Sequence, residues 1–339
     1  MFIKLIKSIV CIIGLLIGLF VYVVSKKTPA FAYQSMVHLF CITRGISNDW
    51  LSAAIGIIKK TYDFRVPEGV LAVAANAEKT IVISNLREQG YHVFSEKLPE
   101  ELCDRLLEFA VSHPCNTRPM DGESREKLIT VVYPRGNPET VRYEFTQQNL
   151  LDNEDLQTLF ADTSFSAIAQ AYLGAKPVLD VLGLWWHTNY SDKPDMDAAQ
   201  YYHFDMDRPK WLKFFIYLTD VTTDNGPHTF IAGSQKTGNI PASMLSKGYA
   251  RLTDAEVENH YGKQSVVEFS APRGTIIAED TRGLHKGKHV KKNDRLVLQI
   301  QFSNCLFGAY SPKAKLSKNV VEKLAISVER FPDVYVAFK

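Results

Sequence analysis

Residues 200–218, QYYHFDMDRPKWLKFFIYL, contain two predicted β-strands separated by a short polar turn. The second strand, 211–218, is rich in aromatic and branched residues, and residues 200–205 form the first. Side chains two positions apart in a strand lie on the same face, so His203 and Asp205 would point to one side of the sheet. One imidazole and one carboxylate would then converge on a single point.

A second histidine would complete a metal site at that point. His285 follows the predicted strand 274–278 and a polar turn. Two histidines and one carboxylate form the facial triad that binds Fe(II) and leaves coordination positions open. A His-x-Asp pair arises easily by chance, so the prediction depends on the strands around it. A zinc hydrolase would use the same three ligands.

Arg295 begins another predicted strand, 295–302, in which it shares one face with Val297, Gln299 and Gln301. A guanidinium fixed inside a barrel needs an anionic partner. The carboxylate of a ligand would match its planar donors in a bidentate fork, and an internal salt bridge is the alternative. A zinc hydrolase would give this arginine no role.

The distribution of turns favours a mainly β domain with flanking helices. From residue 130 onward, short β-rich runs alternate with turns that contain glycine and proline, as in a sandwich or barrel. A helix, a strand and a further helix are predicted between residues 77 and 111, and a helical segment at 152–173. We expect one domain, 79–339, and a jelly roll would bring the candidate site residues together.

Composition excludes several classes of partner. The 339 residues are 46% hydrophobic and carry a formal net charge of +2, with no basic run, so nucleic acid is not expected as a partner. The five cysteines are odd in number, widely spaced and form no C-x-x-C pair. Neither a disulfide framework nor a structural zinc site is therefore indicated.

Residues 1–27 are predicted to form a membrane anchor. Residues 8–24 are uncharged and almost wholly apolar, which reaches the lower limit of length for a transmembrane helix. We expect a single-pass membrane protein whose catalytic domain is cytosolic, because its cysteines look unpaired. Ala30-Phe31-Ala32 also resembles a signal-peptide cleavage site, and cleavage there would give a secreted or luminal protein.

Residues 28–78 are interpreted as a juxtamembrane helical region. Within it, residues 49–60 show helical spacing of apolar side chains at Trp50, Leu51, Ala54, Ile57 and Ile58. Such a helix either rests on the bilayer or packs on the domain.

Taken together, these segments resemble the phytanoyl-CoA dioxygenase-like branch of the Fe(II)/2-oxoglutarate-dependent oxygenases. The resemblance covers roughly residues 80 to 310. It rests on residues 86–91, the pair His203 and Asp205, residues 217–221, Asn225-Gly226-Pro227, Gly233-Ser234, His285 and Arg295. Gln235 departs from the histidine that the family usually has in this turn.

The resemblance implies a double-stranded β-helix, the cupin-like jelly roll. It implies Fe(II) at His203, Asp205 and His285, with the distal carboxylate of 2-oxoglutarate at Arg295. O2 would be the oxidant, and succinate and CO2 the co-products of hydroxylation. We further expect Lys213 or Tyr217 to help hold 2-oxoglutarate. Relatives that halogenate look to have lost the carboxylate ligand, so the retained Asp205 argues against halogenation.

The substrate pocket is predicted among the aromatic residues before His203. Trp186, Tyr190 and Tyr201 are the candidates, with Trp185 and His187 nearby, and aromatic core packing is the alternative. The loop 189–199 is a candidate lid, and His187 and His228 are expected not to be ligands. The predicted function is hydroxylation of a small, lipid-like molecule. The alternative is a non-catalytic jelly-roll module that binds a metal or ligand at a membrane.

Overall fold

The computed structural model describes residues 2–120, 129–247, 251–310 and 314–339. Two antiparallel sheets face each other: a major sheet in the order β1-β9-β6-β11-β5-β4-β2-β3, and a minor sheet in the order β10-β7-β8. The strands are β1 (Tyr91–Lys97), β2 (Pro114–Thr117), β3 (Thr130–Val132), β4 (Arg142–Glu144), β5 (Val178–Thr188), β6 (Trp211–Tyr217), β7 (His228–Ile231), β8 (Val266–Glu268), β9 (Thr275–Glu279), β10 (His285–Gly287) and β11 (Asp294–Ser303).

From β5 onward the chain passes back and forth between the two sheets. It leaves β5, touches the minor sheet at an isolated bridge between His203 and His285, and returns to the major sheet as β6. It then forms β7 and β8, returns as β9, crosses again as β10 and ends in β11. This succession is the predicted double-stranded β-helix, or jelly roll.

The register of β11 fixes which side chains face the interior. β11 pairs with β5 on one side and β6 on the other, so that Arg295 opposes His187 and Val297 opposes both Trp185 and Tyr217. Alternate residues Leu296, Leu298 and Ile300 are buried in the main hydrophobic core on the opposite face. The predicted sharing of one face by Arg295, Val297, Gln299 and Gln301 is confirmed.

Helices cover the outer face of the major sheet and extend the chain at its N-terminal end. They are α1 (Phe2–Ser25), α2 (Ala30–Thr43), α3 (Ile46–Ile58), α4 (Ala72–Asn76), α5 (Lys79–Glu88), α6 (Glu100–Ser112), α7 (Gln147–Asp152), α8 (Glu154–Phe160), α9 (Thr163–Leu173), α10 (Ala242–Leu245), α11 (Asp254–Tyr261) and α12 (Glu322–Arg330). α9 packs against β6 and β11. The predicted helical segment 152–173 is divided because Asp162 caps a new helix, its side chain accepting from the backbone N–H of Ser164.

Helix α1 contains the apolar segment found in the sequence. Its residues Ile6–Ser25 have a mean hydropathy of 2.7, and 6% of them are buried. This length and composition suffice to cross a membrane, and a signal sequence would have the same properties. One face of α1 packs closely on α2, where a Cβ on Gly18 would collide with Ala32. The opposite face exposes large apolar side chains, among them Val10, Leu16 and Phe20.

The large apolar side chains of helix α3 face solvent. Trp50 is 76% exposed, and Ile57 and Ile58 are each 80% exposed. The buried residues of this helix are the polar Asn48 and Ser52, and Asn48 Nδ2 donates to the carbonyl of Pro209 at 3.3 Å. The helix therefore docks on the domain through its polar face and leaves the apolar face uncovered.

Candidate metal and anion site

The backbone brings His203 and His285 together between the sheets. The N–H of His203 donates to the carbonyl of His285 at 3.0 Å, and the reverse bond is 2.9 Å. The predicted strand 200–205 is reduced to isolated bridges at Tyr202 and His203. At Asp205 the chain has already turned, and its N–H donates to the carbonyl of Thr281 at 2.8 Å.

Three side chains converge at this bridge. The Nε2 atom of His203 lies 3.9 Å from Asp205 Oδ1, and that of His285 lies 3.5 Å from Asp205 Oδ2. One ligand atom from each residue lies within 4.8 Å of the others. The Nδ1–H groups donate to backbone carbonyls, that of His203 to Tyr201 at 2.9 Å and that of His285 to Gly283 at 3.0 Å. Both Nε2 lone pairs therefore face the carboxylate.

The protonation states suit metal binding. Burial and the neighbouring His285 lower the pKa of His203 well below its usual value, and burial also lowers the pKa of His285. Burial alone would raise the pKa of Asp205, but the adjacent Lys213 ammonium more than offsets it and holds the pKa well below its usual range. Two neutral imidazoles and an ionised carboxylate are the donor set that Fe(II) takes in a facial triad.

Lys213, on β6, lies beside the Asp205 carboxylate and far from Arg295. Its Nζ is 2.5 Å from Asp205 Oδ2 and 3.7 Å from Asp207 Oδ2. In the sheet Lys213 opposes Gln301, six positions along the strand from Arg295. Its ammonium is therefore placed to orient Asp205, and a direct contact with 2-oxoglutarate stays a prediction.

Arg295 is held in the interior by neutral partners. It is 2% exposed, Nη1 donates to the carbonyl of Gly226, and Nη2 donates to His187 Nδ1 at 2.6 Å. The Nε2–H of His187 donates to the carbonyl of Ala198 at 3.2 Å, which leaves Nδ1 as the acceptor. Burial, Arg295 and Arg142 all lower the pKa of His187, so it stays neutral.

Other buried arginines of the domain have carboxylate partners. Arg208 pairs with Asp180 at 2.7 Å and Arg282 with Asp280 at 2.9 Å. Arg295 makes no ion pair with any residue that the structure describes, and its Nε has no acceptor there. The internal salt bridge considered from the sequence is thus not formed within these ranges.

The Arg295 guanidinium lies close to the metal-binding residues. A Cβ on Gly287 would lie 3.0 Å from Arg295 Nη2 and 3.3 Å from His187 Cε1, so β10 passes directly over this pair. His285 lies two residues before Gly287 on the same face of β10, a separation of about 7 Å. A short dicarboxylate can span that distance.

Tyr217 and two residues not predicted as site residues complete the inner wall. Tyr217 Oη donates to the carbonyl of Phe269 at 3.0 Å and accepts from the N–H of His228 at 3.1 Å. Burial raises the pKa of Glu279 to about 8, and burial with Arg295 lowers that of His228 to about 3. Their side chains lie 2.8 Å apart, and both are neutral near pH 7. The alternation of Thr275, Ile277 and Glu279 along β9 is the sequence signal that would have indicated an inward Glu279.

The aromatic residues predicted to line the substrate pocket lie in different places. Trp186 is wrong as a pocket residue, because it opposes Leu296 on the outer face and lies in the main hydrophobic core. Its ring centroid is 4.8 Å from that of Tyr133, and its Nε1 donates to the carbonyl of Ala110. Its neighbour Trp185 faces inward. Tyr190 is 47% exposed in the loop after β5. Tyr201 is half-buried beside His203, and its pocket role, like that of Tyr190, stays a prediction.

Comparison with known proteins gives a family match. Residues 86–294 match the model of the phytanoyl-CoA dioxygenase (PhyH) family. No curated protein matches the chain. Among solved structures, the alpha ketoglutarate dependent epimerase SnoN from nogalamycin biosynthesis is 17% identical, with 67% of this chain and 83% of that one covered and a TM-score of 0.48. EctD from S. alaskensis with bound Fe is 16% identical, with 74% and 84% covered and a TM-score of 0.47.

Proposed function

The chain belongs to the phytanoyl-CoA dioxygenase (PhyH) family, and we propose that it is an Fe(II)/2-oxoglutarate-dependent dioxygenase that hydroxylates a small, lipid-like molecule. The observation that carries this proposal is the pairing of a His-Asp-His cluster with a buried arginine that has no described carboxylate partner. A buried cation without an anion is unstable, so the site requires an acidic ligand. The distal carboxylate of 2-oxoglutarate is that ligand.

Each residue of the site has a defined task in this proposal. His203, Asp205 and His285 hold Fe(II) through two Nε2 atoms and a carboxylate oxygen. When bound, the iron with 2-oxoglutarate and O2 supplies the oxidising chemistry, and succinate and CO2 are the co-products. Arg295 binds the distal carboxylate in a fork, while His187 and Gly226 fix the plane of its guanidinium.

The surrounding residues orient Asp205 and form an uncharged wall beside the site. Lys213 keeps Asp205 ionised and directed at the two imidazoles. His228 lies with its ring centroid 4.4 Å from that of Phe215, and its bond to Glu279 closes the wall behind His285. Both of these groups are neutral near pH 7, so they add no charge that would compete for the acidic ligand.

Succinate formation from 2-oxoglutarate tests the proposal. It should require Fe(II) and O2, and Arg295→Met should raise the KM for 2-oxoglutarate about ten- to a hundred-fold, because a charge-assisted hydrogen bond contributes about 1.5–3 kcal/mol. Arg135→Met is the matched control, since Arg135 pairs with Asp294 at 2.9 Å on the outer side of the sheet. Metal binding without any 2-oxoglutarate binding would contradict the proposal and favour a non-catalytic module.

We also propose that α1 anchors the protein in a membrane, with the catalytic domain on the cytosolic side. The support is the uncovered apolar face of α1 together with that of α3, where Trp50, Ile57 and Ile58 face outward. An interfacial helix that buries aromatic and aliphatic side chains in a bilayer would have this orientation. Sequencing the mature N-terminus tests anchor against signal, and protease protection of a C-terminal tag tests the side. A cleaved N-terminus at residue 33 would contradict the anchor.

A further inference from the structure

A cavity of about 510 Å³ opens on the inner face of β4 and β5. Arg142, Glu144, Gly183, Trp185 and Gln299 contribute to its lining. Gln299 lies on β11 between Gly183 and Phe215 in the sheet register, on the same face as Arg295. Gln301, two residues further along β11, opposes Lys213, the partner of Asp205, so the cavity extends along β11 in the direction of the His-Asp-His cluster. A volume of this size is suited to a small organic ligand.

Two hydrogen-bond donors in the wall of this cavity have no acceptor among the described residues. Arg142 Nε and Trp185 Nε1 are buried, and neither finds a partner in the ranges that the structure covers. The guanidinium lies over the indole ring at 4.6 Å, so both donors belong to one stacked unit. An unsatisfied buried donor costs about 1–3 kcal/mol, so an acceptor from a ligand would be strongly favoured here.

The backbone is built to hold this stacked unit. A Cβ on Gly183 would lie 2.9 Å from Trp185 Cζ3 and 3.7 Å from Gln299 Cβ. Any larger residue would push the indole ring away from the sheet and fill the passage toward Gln299. Glycine at position 183 therefore allows the Trp185 ring to stay against the sheet and leaves the cavity open toward Gln299.

The charged cluster beside the cavity, Arg118, Arg142 and Glu144, has one more cation than anion. Arg142 Nη2 lies 2.6 Å from Glu144 Oε1, and Arg118 Nη1 lies 2.8 Å from the same oxygen. One carboxylate thus faces two guanidinium groups. Arg142 opposes His187, which in turn opposes Arg295, so the two arginines occupy one row of the sheet about 10 Å apart. Arg142 shares its carboxylate partner with Arg118, and its Nε has no acceptor among the described residues, so an additional anion would complete its pairing.

We propose that this cavity binds the acidic group of the substrate, a carboxylate or a phosphate monoester, through Arg142 and the indole N–H of Trp185. The body of the substrate then lies along Gly183 toward Gln299 and the metal-binding residues. The assignment of this ligand as the substrate rests on the proposed function, whereas the anion site itself does not.

The test is calorimetric titration of the metal-free full chain in nanodiscs of zwitterionic lipid. The probes are hexanoate, hexyl phosphate and the neutral hexanamide. Hexanoate and hexyl phosphate should bind, and hexanamide should not. Whichever of the two acids binds more tightly identifies the anionic group that the cavity prefers. Arg142→Met should weaken binding about ten- to a hundred-fold, and Trp185→Phe, which keeps the ring but removes the donor, about two- to ten-fold.

Arg135→Met is again the matched control. Arg135 also stacks on a tryptophan, Trp186, at 5.1 Å and pairs with an acid, but on the outer face of the sheet. This variant should bind the acids as the wild type does. Binding of 2-oxoglutarate, measured with Mn(II), should be weakened by Arg295→Met and unchanged by Arg142→Met.

Several results would overturn the proposal. They are equal binding of hexanamide and the acids, binding of none of the three probes, and acid binding that both Arg142→Met and Trp185→Phe leave intact. A loss of 2-oxoglutarate affinity in Arg142→Met would assign the cavity to the co-substrate instead. Acid binding through Arg142 without any succinate formation would support the anion site while contradicting the proposed function.

Discussion

Replacing Lys213 with methionine removes the only cation within 4 Å of the Asp205 carboxylate among the described residues. The Nζ to Oδ2 distance is 2.5 Å, and the two side chains are 10% and 18% exposed. Methionine preserves most of the side-chain volume, so the change isolates the charge. In the metal-free protein, the variant leaves a buried carboxylate with two neutral imidazoles as its neighbours.

The expected loss of stability follows from this geometry. Removing one partner of a buried ion pair costs about 3–5 kcal/mol, and the residual exposure of Asp205 reduces this to about 2–3 kcal/mol. For a chain of this length the unfolding entropy gives about 1.5 °C per kcal/mol, so Tm should fall by about 3–5 °C. The pair lowers the pKa of Asp205, so its contribution is present above the unfolded pKa of about 4 and is lost as the pH falls below it.

Thermal melts with and without saturating Mn(II) provide the assay. A bound divalent cation replaces the missing charge, so Mn(II) should raise Tm more in Lys213→Met than in the wild type. The difference in Tm between the two proteins should therefore become smaller when Mn(II) is bound. Lys236→Met is the control, because Lys236 and Glu88 form an exposed pair at 2.6 Å that should contribute nothing measurable. An unchanged Tm in metal-free Lys213→Met, or a gap that Mn(II) leaves intact, would refute the reasoning.

Three further predictions concern the surroundings of the site. Burial raises the pKa of Glu279 to about 8, so its contribution to stability is lost as the pH rises from about 5 to about 8; Glu279→Gln should therefore gain stability relative to the metal-free wild type over this range, and parallel melts in which the difference between the two proteins stays constant with pH would contradict this. Gly287→Ala should raise the KM for 2-oxoglutarate several-fold at unchanged Mn(II) affinity, because its Cβ would lie 3.0 Å from Arg295 Nη2. Asp162→Ala should cost about 1–2 kcal/mol in chemical denaturation, since the cap of α9 at Ser164 is lost; an unchanged midpoint would contradict this.

The sequence predicted well where a single local pattern determined the outcome. Alternation along 295–302 was enough to assign the inward face of β11 and with it Arg295. The adjacent tryptophans Trp185 and Trp186 could not be assigned in the same way, because both are large and apolar. Their facing depends on the register between β5 and β11, which joins segments distant in the chain.

Other features depended on contacts that no local pattern records. Helix α3 was correctly predicted from its spacing, but the inward turn of Asn48 depends on its hydrogen bond to Pro209. Residues 200–205 look like a strand, yet only Tyr202 and His203 make bridges. The Glu279 and His228 pair was not predicted, because it joins two strands of different sheets.

Anaerobic equilibrium titration with Fe(II) tests the central claim most directly. The wild type should bind a single Fe(II), and Asp205→Ala should abolish this binding while the protein remains folded. Asp207→Ala should bind as the wild type does, since Asp207 lies 3.7 Å from Lys213 but is not a member of the converging set. Fe(II) binding by Asp205→Ala at the affinity of the wild type would contradict the assignment of the site.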